Sequence, residues 1–341
     1  GIFINAKHQD VGGFYLKTDT AGWSGAFEVH GIQTGPLSQY LHFHDYEGSG
    51  GYGGDLAGGD EGAGITTTVQ FNMLGDVDTT LGTAVVAGSQ SFTPASTAGM
   101  YVGQRIVVEA TKSALVDYLG AVTCTGNCEE VGLTAVTATT ATATFVNSHS
   151  GASIVTSRSQ GWQWNMFERW FLHDMPISTC FGSSGLGNTY RDGRMLNCGI
   201  SNHPFTNHGF YASGGGHSLY DNIEVEGSTG WNYHFHKASA SMEQSGDKVV
   251  NCKSINPGFG HLVADSQPSD GTNPEIATGV DTDRYITIDD FHMAQRKNAA
   301  GHDVLGIQID VPSALISNVD GEDVGAGSSF WIACGSTSTC G

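Results

Sequence analysis

The stretch LYDNIEVE, residues 219–226, places the polar pair Asp221 and Asn222 between short apolar runs. Five other segments of the second half repeat this arrangement: FLHDMPIS (171–178), MLNCGISN (195–202), VVNCKSIN (249–256), TIDDFHMA (287–294) and LISNVDGE (315–322). The second members of the polar pairs are Asp174, Cys198, Asn222, Cys252, Asp290 and Asn318, with spacings of 24, 24, 30, 38 and 28 residues. A base period near 24 residues with variable insertions indicates a solenoid that adds one coil per repeat.

Each repeat also carries a second short strand. These strands read HGFYAS, NYHFHK, GHLVAD, LGIQID and SFWIAC. The unit is too short for two helices, and Gly accounts for 49 of 341 residues, which favours turns over helices. The pattern predicts an all-β fold, a parallel β-helix whose inward apolar residues stack from coil to coil. We expect the six residues named above to form one longitudinal column, and Asn and Asp to pair in ladders at the bends.

Residues 78–156 differ from the repeats on either side. They contain Thr-rich, β-branched strands separated by Gly, Pro and Ser, and few aromatic residues. This composition predicts a small β-barrel or sandwich inserted into the solenoid; the alternative is an elaborate loop of the solenoid itself. The predicted division is therefore 1–77 for N-terminal coils, 78–156 for the insertion, and 157–341 for the main solenoid and C-terminal segment.

The charge of the chain is sparse and one-sided. Fourteen basic and 34 acidic residues give a net charge of −20, so nucleic acid and anionic membrane surfaces would repel the protein. No apolar run reaches the roughly 18 residues that a membrane helix needs. The composition favours an extracellular protein, with no nucleic acid as partner and no membrane insertion. The chain has no initiator Met or signal peptide at Gly1, so we expect a mature or trimmed product.

Four of the seven cysteines form two pairs whose members are close in sequence. Cys124 and Cys128 lie in CTGNC, and Cys334 and Cys340 lie in CGSTSTC. Zinc-finger spacing is missing, so we expect two short disulfide loops, which is typical of an oxidising compartment. Of the remaining cysteines, at least one should be unpaired, and a cysteine buried in the core would satisfy this. These remaining cysteines are Cys180, Cys198 and Cys252.

The tripeptide HFH occurs twice, as His42–His44 and as His234–His236. Alternate side chains of a strand face opposite sides, so an inward Phe43 or Phe235 leaves the flanking imidazoles outside. The same alternation places Leu41 and Tyr233 inward. We align the second strands by placing one inward residue of each at the same level. These residues are Phe210, Phe235, Leu262 and Ile307. This alignment predicts that His234 and His261 stack as neighbours on the outer surface.

Three interpretations of this predicted patch compete. It is a solvated strand face that happens to be rich in His, or a metal site built on the HxH pair, or a saccharide groove. In the groove, His234 or His261 would act as general acid or base, with His236 beside them, and Lys237 would neutralise a uronate. The substrate contacts would be Tyr211, Trp231, Asp265, Arg191 and Arg194. A third ligand for the metal interpretation is not evident in the sequence.

The rung pattern of residues 160–335 resembles the right-handed parallel β-helices of the pectate-lyase-like superfamily. That superfamily includes polysaccharide lyases, glycoside hydrolases and viral tailspikes. Asp289 and Asp290 resemble the paired aspartates of its hydrolases, but they also align with the polar pair of every other rung, which favours a bend ladder. Its lyases combine Ca²⁺-binding carboxylates with a basic residue, and Arg191 and Arg194 form the densest Arg pair of the solenoid half.

The resemblance implies a secreted or virion-borne β-helix that binds polysaccharide and cleaves it as a lyase or glycoside hydrolase. The alternative is a structural or adhesive β-helix of a virion or cell-surface appendage, without catalysis. A tailspike would be a homotrimer. No cofactor is required, although the acidic segments 265–275 and 281–284 could bind Ca²⁺.

Overall fold

A computed structural model describes the fold of the protein. It describes residues 2–4, 8–17, 32–34, 38–50, 63–66, 74–109, 111–114, 120–123, 126–158, 164–175, 179–199, 208–236, 244–265, 285–295, 304–309, 311 and 313–322. Within these residues there is no helix that is long and apolar enough to cross a membrane.

The described residues form 25 strands. The first thirteen are β1 (Ile2–Ile4), β2 (Asp10–Lys17), β3 (Ile32–Thr34), β4 (His42–Ser49), β5 (Ala63–Thr66), β6 (Leu74–Thr80), β7 (Gly88–Phe92), β8 (Arg105–Val108), β9 (Thr111–Ala114), β10 (Gly120–Thr123), β11 (Glu129–Val136), β12 (Ala141–Phe145) and β13 (Ile154–Arg158). The others are β14 (Met166–Met175), β15 (Thr179–Leu186), β16 (Thr189–Cys198), β17 (Phe210–Gly216), β18 (Leu219–Glu226), β19 (Trp231–His236), β20 (Gln244–Ser245), β21 (Asp247–Ile255), β22 (Gly260–Asp265), β23 (Tyr285–Ala294), β24 (Leu305–Ile309) and β25 (Ser313–Glu322).

Two parallel sheets build the solenoid, and the chain alternates between them. Sheet 1 has the order β1-β3-β5-β15-β17-β19-β22-β24, with β20 beside β17, and sheet 2 has the order β2-β4-β14-β16-β18-β21-β23-β25. Each coil therefore adds one strand to each sheet next to the strand of the preceding coil. The fold is a parallel β-helix, as the repeat predicted. Parallel crossovers are right-handed in nearly all proteins, in line with the predicted hand.

The solenoid is interrupted once, between β5 and β14. The chain divides into two compact units, one formed by residues 1–68 and 161–341 and the other by Val69–Gln160. The predicted boundaries of 78–156 lie inside the second unit. This inserted unit contains a six-stranded antiparallel sheet of order β6-β13-β8-β11-β12-β7 and a hairpin of β9 and β10. It has a hydrophobic core of its own, in which Phe92 packs edge-on against Phe145.

Besides a second left-handed residue near the ends of β14 and β16, every strand of sheet 2 from β2 to β25 bends at one residue in the left-handed backbone conformation. These residues stand level across the sheet and form what we term the bend column: Gly13, Asp45, Arg169, Asp192, Asn222, Asn251, Asp290 and Asn318. The non-glycine members have φ between 50° and 52°. A left-handed φ costs most residues about 1–2 kcal/mol, and Gly, Asn and Asp tolerate it best. The bend explains the polar pair, because two successive residues face solvent there.

Amide-to-carboxylate hydrogen bonds connect neighbouring coils along the bends. The amide of Asn222 donates to Asp192 Oδ1 at 2.7 Å, and that of Asn251 donates to Asp221 Oδ1 at 2.8 Å. Asn318 and Ser317 both donate to Asp289 Oδ1 at 2.8 Å. Hydrogen bonds from Ser317 and then Asn318 hold the pKa of Asp289 below its usual range. The predicted ladders are confirmed: Asp289 accepts such bonds, and Asp290 lies next to it in the bend column.

The predicted column was wrong for three of its six members. Asn222, Asp290 and Asn318 lie in the bend column. Cys198 and Cys252 instead point into the core, because the left-handed residue is the Asn that precedes each of them. Asp174 belongs to a second left-handed position at the strand end, where Asn197 donates to its Oδ1 at 3.0 Å.

Stacked aromatic rings fill the solenoid core. Phe167 lies over Tyr190 with 5.2 Å between the ring centroids, and Tyr190 lies over Tyr220 with 5.1 Å. The two ring planes of each pair are nearly parallel. The parallel register produces these stacks, because it places the same inward position of each coil directly beside the next. Gly193 leaves space for the indole of Trp170, with which any Cβ at this position would collide.

A disulfide also joins the two sheets. Cys180 at the start of β15 is bonded to Cys198 at the end of β16, 18 residues later. Cys252 is free and buried, which confirms the expected unpaired core cysteine, and burial raises its pKa to about 12. Cys128 is disulfide-bonded, in line with the predicted loop. Cys124, Cys334 and Cys340 lie outside the described residues.

Substitutions at Asn222 test the bend column. We expect Asn222→Ala to lower the free energy of unfolding by about 1–2 kcal/mol more than Asn222→Gly. Both variants lose the bond to Asp192, but only Ala must adopt a left-handed φ with a Cβ. Urea unfolding curves of the two variants give the difference, and equal stabilities would contradict the proposed strain at this position.

The disulfide should stabilise the solenoid through the loop it closes. For a loop of 18 residues, chain entropy predicts a loss of about 3 kcal/mol on reduction. We expect a reductant to destabilise wild type by about 3 kcal/mol more than the Cys180→Ala/Cys198→Ala variant, in which only the disulfide of Cys128 is left to reduce. Cys252→Ala serves as the control, because it should keep the response to reductant. Urea unfolding monitored by Trp fluorescence measures the response.

Candidate functional site

The patch predicted around His234 lies on the outer face of sheet 1. Tyr233 and Phe235 are buried and His234 is half-buried, so the predicted alternation is confirmed there. His234 Nδ1 lies 3.0 Å from His208 Nε2, and the Trp231 amide donates to His208 Nδ1 at 3.2 Å. His208 must therefore carry its hydrogen on Nε2 and donate it to His234. Tyr211 stacks on His208 at 5.3 Å and meets His234 edge-on at 5.1 Å.

His261 does not belong to this patch, which corrects the predicted stacking with His234. The observed register pairs Tyr233 with Leu262 and His234 with Val263. The sequence alignment had used Phe235 as the inward residue level with Leu262, whereas Phe235 pairs with Ala264. The alignment was wrong by two residues, and the observed register separates His234 from His261.

His261 is completely buried and cannot meet a substrate. Its Nδ1 lies 2.8 Å from Ser254 Oγ, and its Nε2 is buried without a hydrogen-bond partner. Burial lowers its pKa to about 4, so the ring is neutral near pH 7. Its predicted catalytic role is therefore wrong, and it is a polar element of the core.

The other predicted contacts are not brought together. Trp231 is buried and packs edge-on against Phe259 at 5.2 Å, so it does not offer a sugar platform. His236 pairs with Asp265 along the backbone of sheet 1, while their side chains and Lys237 lie outside the described residues. Arg191 and Arg194 lie on sheet 2, not beside His234.

A larger polar cluster lies on the outer face of sheet 2, around the other HFH tripeptide. Leu41 and Phe43 are buried, so the predicted facing of His42 and His44 is confirmed. The two imidazoles stack at 4.6 Å. Asp10 Oδ1 lies 3.1 Å from His42 Nδ1 and 3.0 Å from His44 Nε2. Asp45 Oδ2 lies 2.6 Å from His44 Nδ1 and is the main cause of the raised pKa of His44.

Glu168 links this cluster to the next coil. It is almost fully buried, and its Oε1 lies 3.0 Å from His42 Nε2. Arg191 donates to its Oε2 through Nε at 2.8 Å, and Arg169 donates to its Oε1. Arg191 above all, then His42 and Arg169, lower the pKa of Glu168 to about 2. The carboxylate is thus ionised, and each oxygen is fixed by a donor.

Arg169 is the exception in the bend column, where every other member is Gly, Asn or Asp. Its guanidinium donates to both oxygens of Asp45, at 2.7 and 3.1 Å, besides Glu168. These bonds, with that of His44, lower the pKa of Asp45. Arg169 thus combines an unfavourable backbone conformation with pairing to two carboxylates, and strain of this kind is concentrated at functional sites.

A shallow cleft of about 510 Å³ lies next to this cluster. Its lining consists of four members of the bend column and, for the first three, the two residues that follow each in sequence. The residues are Gly13, Phe14, Tyr15, Asp45, Tyr46, Glu47, Arg169, Trp170, Phe171 and Asp192. Tyr15 is 54% exposed, and its hydroxyl lies 2.9 Å from Ser49 Oγ. Arg194 stands 5.6 Å over the ring of Phe171 and donates to Glu224 at 3.0 Å.

Sequence reasoning missed the cleft and the partners of His42 and His44. A signal was available, because QYLHFHDYEG was recognised as a second HFH. Asp10, Glu168 and Arg169 could not be linked to it, since they join it only through the pairing of β2, β4 and β14.

No known protein family matches the sequence, and no curated protein matches it. Three solved phage tailspikes are similar to this chain. They are Gp54 of Acinetobacter baumannii bacteriophage AP22, in complex with A. baumannii capsular saccharide, gp49 of Pseudomonas phage LKA1 and gp61 of Pseudomonas phage phi297. Their identities to this chain are 10%, 12% and 13%, and the TM-scores are 0.20, 0.20 and 0.22.

The alignments cover 92%, 94% and 85% of this chain. The chain spans only about two thirds of each tailspike, 65%, 68% and 63% respectively. At such identities and TM-scores the likeness carries no weight for function, and the fold assignment rests on the strand pairing of the chain itself.

Burial of His261 should make stability depend on pH. Its pKa is about 4 when folded and about 6.5 when unfolded. The unfolded state therefore binds more protons between these values, so the stabilisation is complete above about pH 6.5 and is lost as the pH falls toward 4. From pH 7 to pH 4.5, we expect wild type to lose about 2 kcal/mol more than His261→Gln.

Urea unfolding at both pH values measures this difference. The exposed His8 provides the control, since His8→Gln should keep the wild-type pH dependence. A parallel loss in wild type and His261→Gln would show that the buried ring does not sense pH.

Proposed function

We propose that this protein is a virion-borne β-helix that binds polysaccharide in the cleft on the outer face of sheet 2. The observation that carries the proposal is the lining of that cleft, where four neighbouring strands of sheet 2 present aromatic rings, carboxylates and a guanidinium together. A parallel stack repeats such positions about every 4.8 Å, which gives an extended surface for a chain ligand.

The chemistry of the lining suits sugars. Tyr15 is exposed and offers a ring face to the apolar side of a pyranose as well as a hydroxyl, and the edge of Phe171 adds apolar surface to the lining. Asp45, Glu47 and Asp192 offer oxygens that accept hydrogen bonds from sugar hydroxyls. Arg169 donates into the same cleft, although its charge is offset by Asp45 and Glu168.

The balance of charge favours neutral over uronate-rich saccharides. The cleft lining contains three carboxylate side chains, Asp45, Glu47 and Asp192, and one guanidinium, in a chain of net charge −20. A polyanionic glycan would meet repulsion over much of this surface. We therefore propose that the ligand is a neutral polysaccharide.

Binding is better supported than cleavage at this site. Glycoside hydrolysis needs a carboxylic acid that holds its proton near neutral pH. Asp45 and Glu168 are held in the ionised form by Arg169, Arg191 and the two histidines, so neither supplies that proton. Cleavage by His234, with Tyr211 beside it, stays a prediction. The homotrimer also stays a prediction, as does Ca²⁺ binding, for which residues 266–284 lie outside the described residues.

Removal of the two aromatic rings tests the proposal. A panel of bacterial capsular polysaccharides, neutral and uronate-containing, is immobilised and probed with the full chain, and calorimetry follows for those that bind. We expect Tyr15→Ala to weaken binding roughly tenfold or more, because it removes an exposed stacking surface, and Phe171→Ala to weaken binding as well, because it removes apolar surface from the cleft lining. Neutral members of the panel should bind more tightly than uronate-rich ones.

Tyr285→Ala provides the matched control. Tyr285 is another exposed tyrosine of sheet 2, at the start of β23 and outside the cleft. Binding should be unchanged in this variant. If no polysaccharide binds, or if both cleft variants bind as wild type does, the structural or adhesive β-helix becomes the better description.

A further inference from the structure

Three donor atoms converge on the outer face of sheet 2. They are Asp10 Oδ1, His42 Nδ1 and His44 Nε2, with both nitrogens 3.0–3.1 Å from the carboxylate oxygen. All three atoms lie within 4.8 Å of one another. The parallel register produces this arrangement, because Asp10 of β2 stands level with His42 of β4, and His44 follows on the same face.

The opposite nitrogen of each ring is already directed at another carboxylate. His44 Nδ1 lies 2.6 Å from Asp45 Oδ2, and His42 Nε2 lies 3.0 Å from Glu168 Oε1. A neutral imidazole has a single N–H, and a carboxylate only accepts. The N–H groups therefore face Asp45 and Glu168, and the two remaining nitrogens direct lone pairs toward Asp10. The three facing electron-pair donors are therefore held together either by a second proton on a ring or by a metal ion between them.

We propose that Asp10, His42 and His44 bind a divalent first-row transition-metal ion of the Zn²⁺ type, with water at the fourth position. Imidazole nitrogens favour Zn²⁺ and its neighbours over Ca²⁺ and Mg²⁺, which prefer oxygen. Ligands at about 2.0–2.1 Å from a tetrahedral ion lie about 3.4 Å apart. Each nitrogen thus needs to move only a few tenths of an ångström away from Asp10 Oδ1, which now lies at 3.0–3.1 Å.

The carboxylates behind the two rings match the usual surroundings of a metal-binding histidine. Such a histidine almost always donates its other N–H to a carboxylate or carbonyl, which fixes the ring and its tautomer. Asp45 and Glu168 do this here, and both are themselves held by arginines: Asp45 by Arg169 and Glu168 by Arg191 and Arg169. The rings are thereby oriented independently of the ion.

Gly12 provides the space that His44 occupies. It stands level with His44 in the neighbouring coil. A Cβ at this position would collide with the main-chain oxygen of His44 and lie 2.7 Å from Cε1 and Nδ1 of its ring. The absent side chain lets the imidazole lean over β2, toward Asp10.

The ion would act as a cross-link between coils. Within the described residues, β2 pairs only with β4. The ion would add a link through side chains to the backbone hydrogen bonds between these two strands. An ion that binds the folded state alone stabilises it by mass action. Zn²⁺ should therefore raise the melting temperature of the protein, independently of any saccharide.

The test uses the full chain, freed of metal with a chelator and titrated with Zn²⁺ by calorimetry and with Co²⁺ by visible absorption. We expect one high-affinity ion per chain, visible d–d bands with Co²⁺, and no comparable binding of Ca²⁺ or Mg²⁺. His42→Ala, His44→Ala and Asp10→Asn should abolish this site. Asp45→Asn should weaken it by roughly 10–100-fold, since it releases the ring of His44.

His292→Ala is the matched control. His292 also lies on sheet 2 and pairs with one carboxylate, as its Nδ1 is 2.7 Å from Asp320 Oδ1. Its loss should leave metal binding unchanged. Asp10→Asn decides the outcome if the histidine variants fail to fold, because Asp10 is exposed and its replacement keeps the same shape. Wild-type affinity in Asp10→Asn, or no ion bound by wild type, would overturn the proposal.

Discussion

The left-handed bend within each strand of sheet 2 is the constraint on which the rest of the structure depends. It turns the chain at the same position in every coil, so that the following inward residue again meets its counterpart in the next coil. The aromatic stacks, the Asn–Asp ladders and the cluster around His42 all require this common register. A shift of one coil by one residue would bury the ladder and expose the aromatic stack.

Much of the fold could be predicted because its signals are local. Alternation within a strand correctly placed Phe43, Tyr233 and Phe235 inward, and the recurring polar pairs revealed the coils. Which residue of each coil occupies the bend column could not be derived in the same way. In Asn197–Cys198 and Asn251–Cys252 the turning residue and the inward residue are adjacent, and only the backbone conformation separates their roles.

The candidate site was less predictable, since it depends on pairing between distant strands. His42 and His44 were recognised as an outward pair, yet Asp10 and Glu168 join them only once β2 and β14 are placed on either side of β4. On sheet 1, a two-residue error of alignment gave His234 the wrong neighbour, and His261, which was expected on the outer surface, is buried. Facing follows from a period of two, whereas register requires the lengths of the intervening turns.

Direct pairing of β4 with β14 has a consequence for folding, since the segment 69–160 separates them in the chain. The first and last strands of that segment, β6 and β13, pair with each other, with Thr80 beside Ile154. Once folded, the segment acts as a short loop. If it were still unfolded, closing so long a loop would cost about 2 kcal/mol more in chain entropy. Folding of the segment before the coils on its two sides join avoids this cost, so the interruption favours one order of assembly that the repeats alone would not.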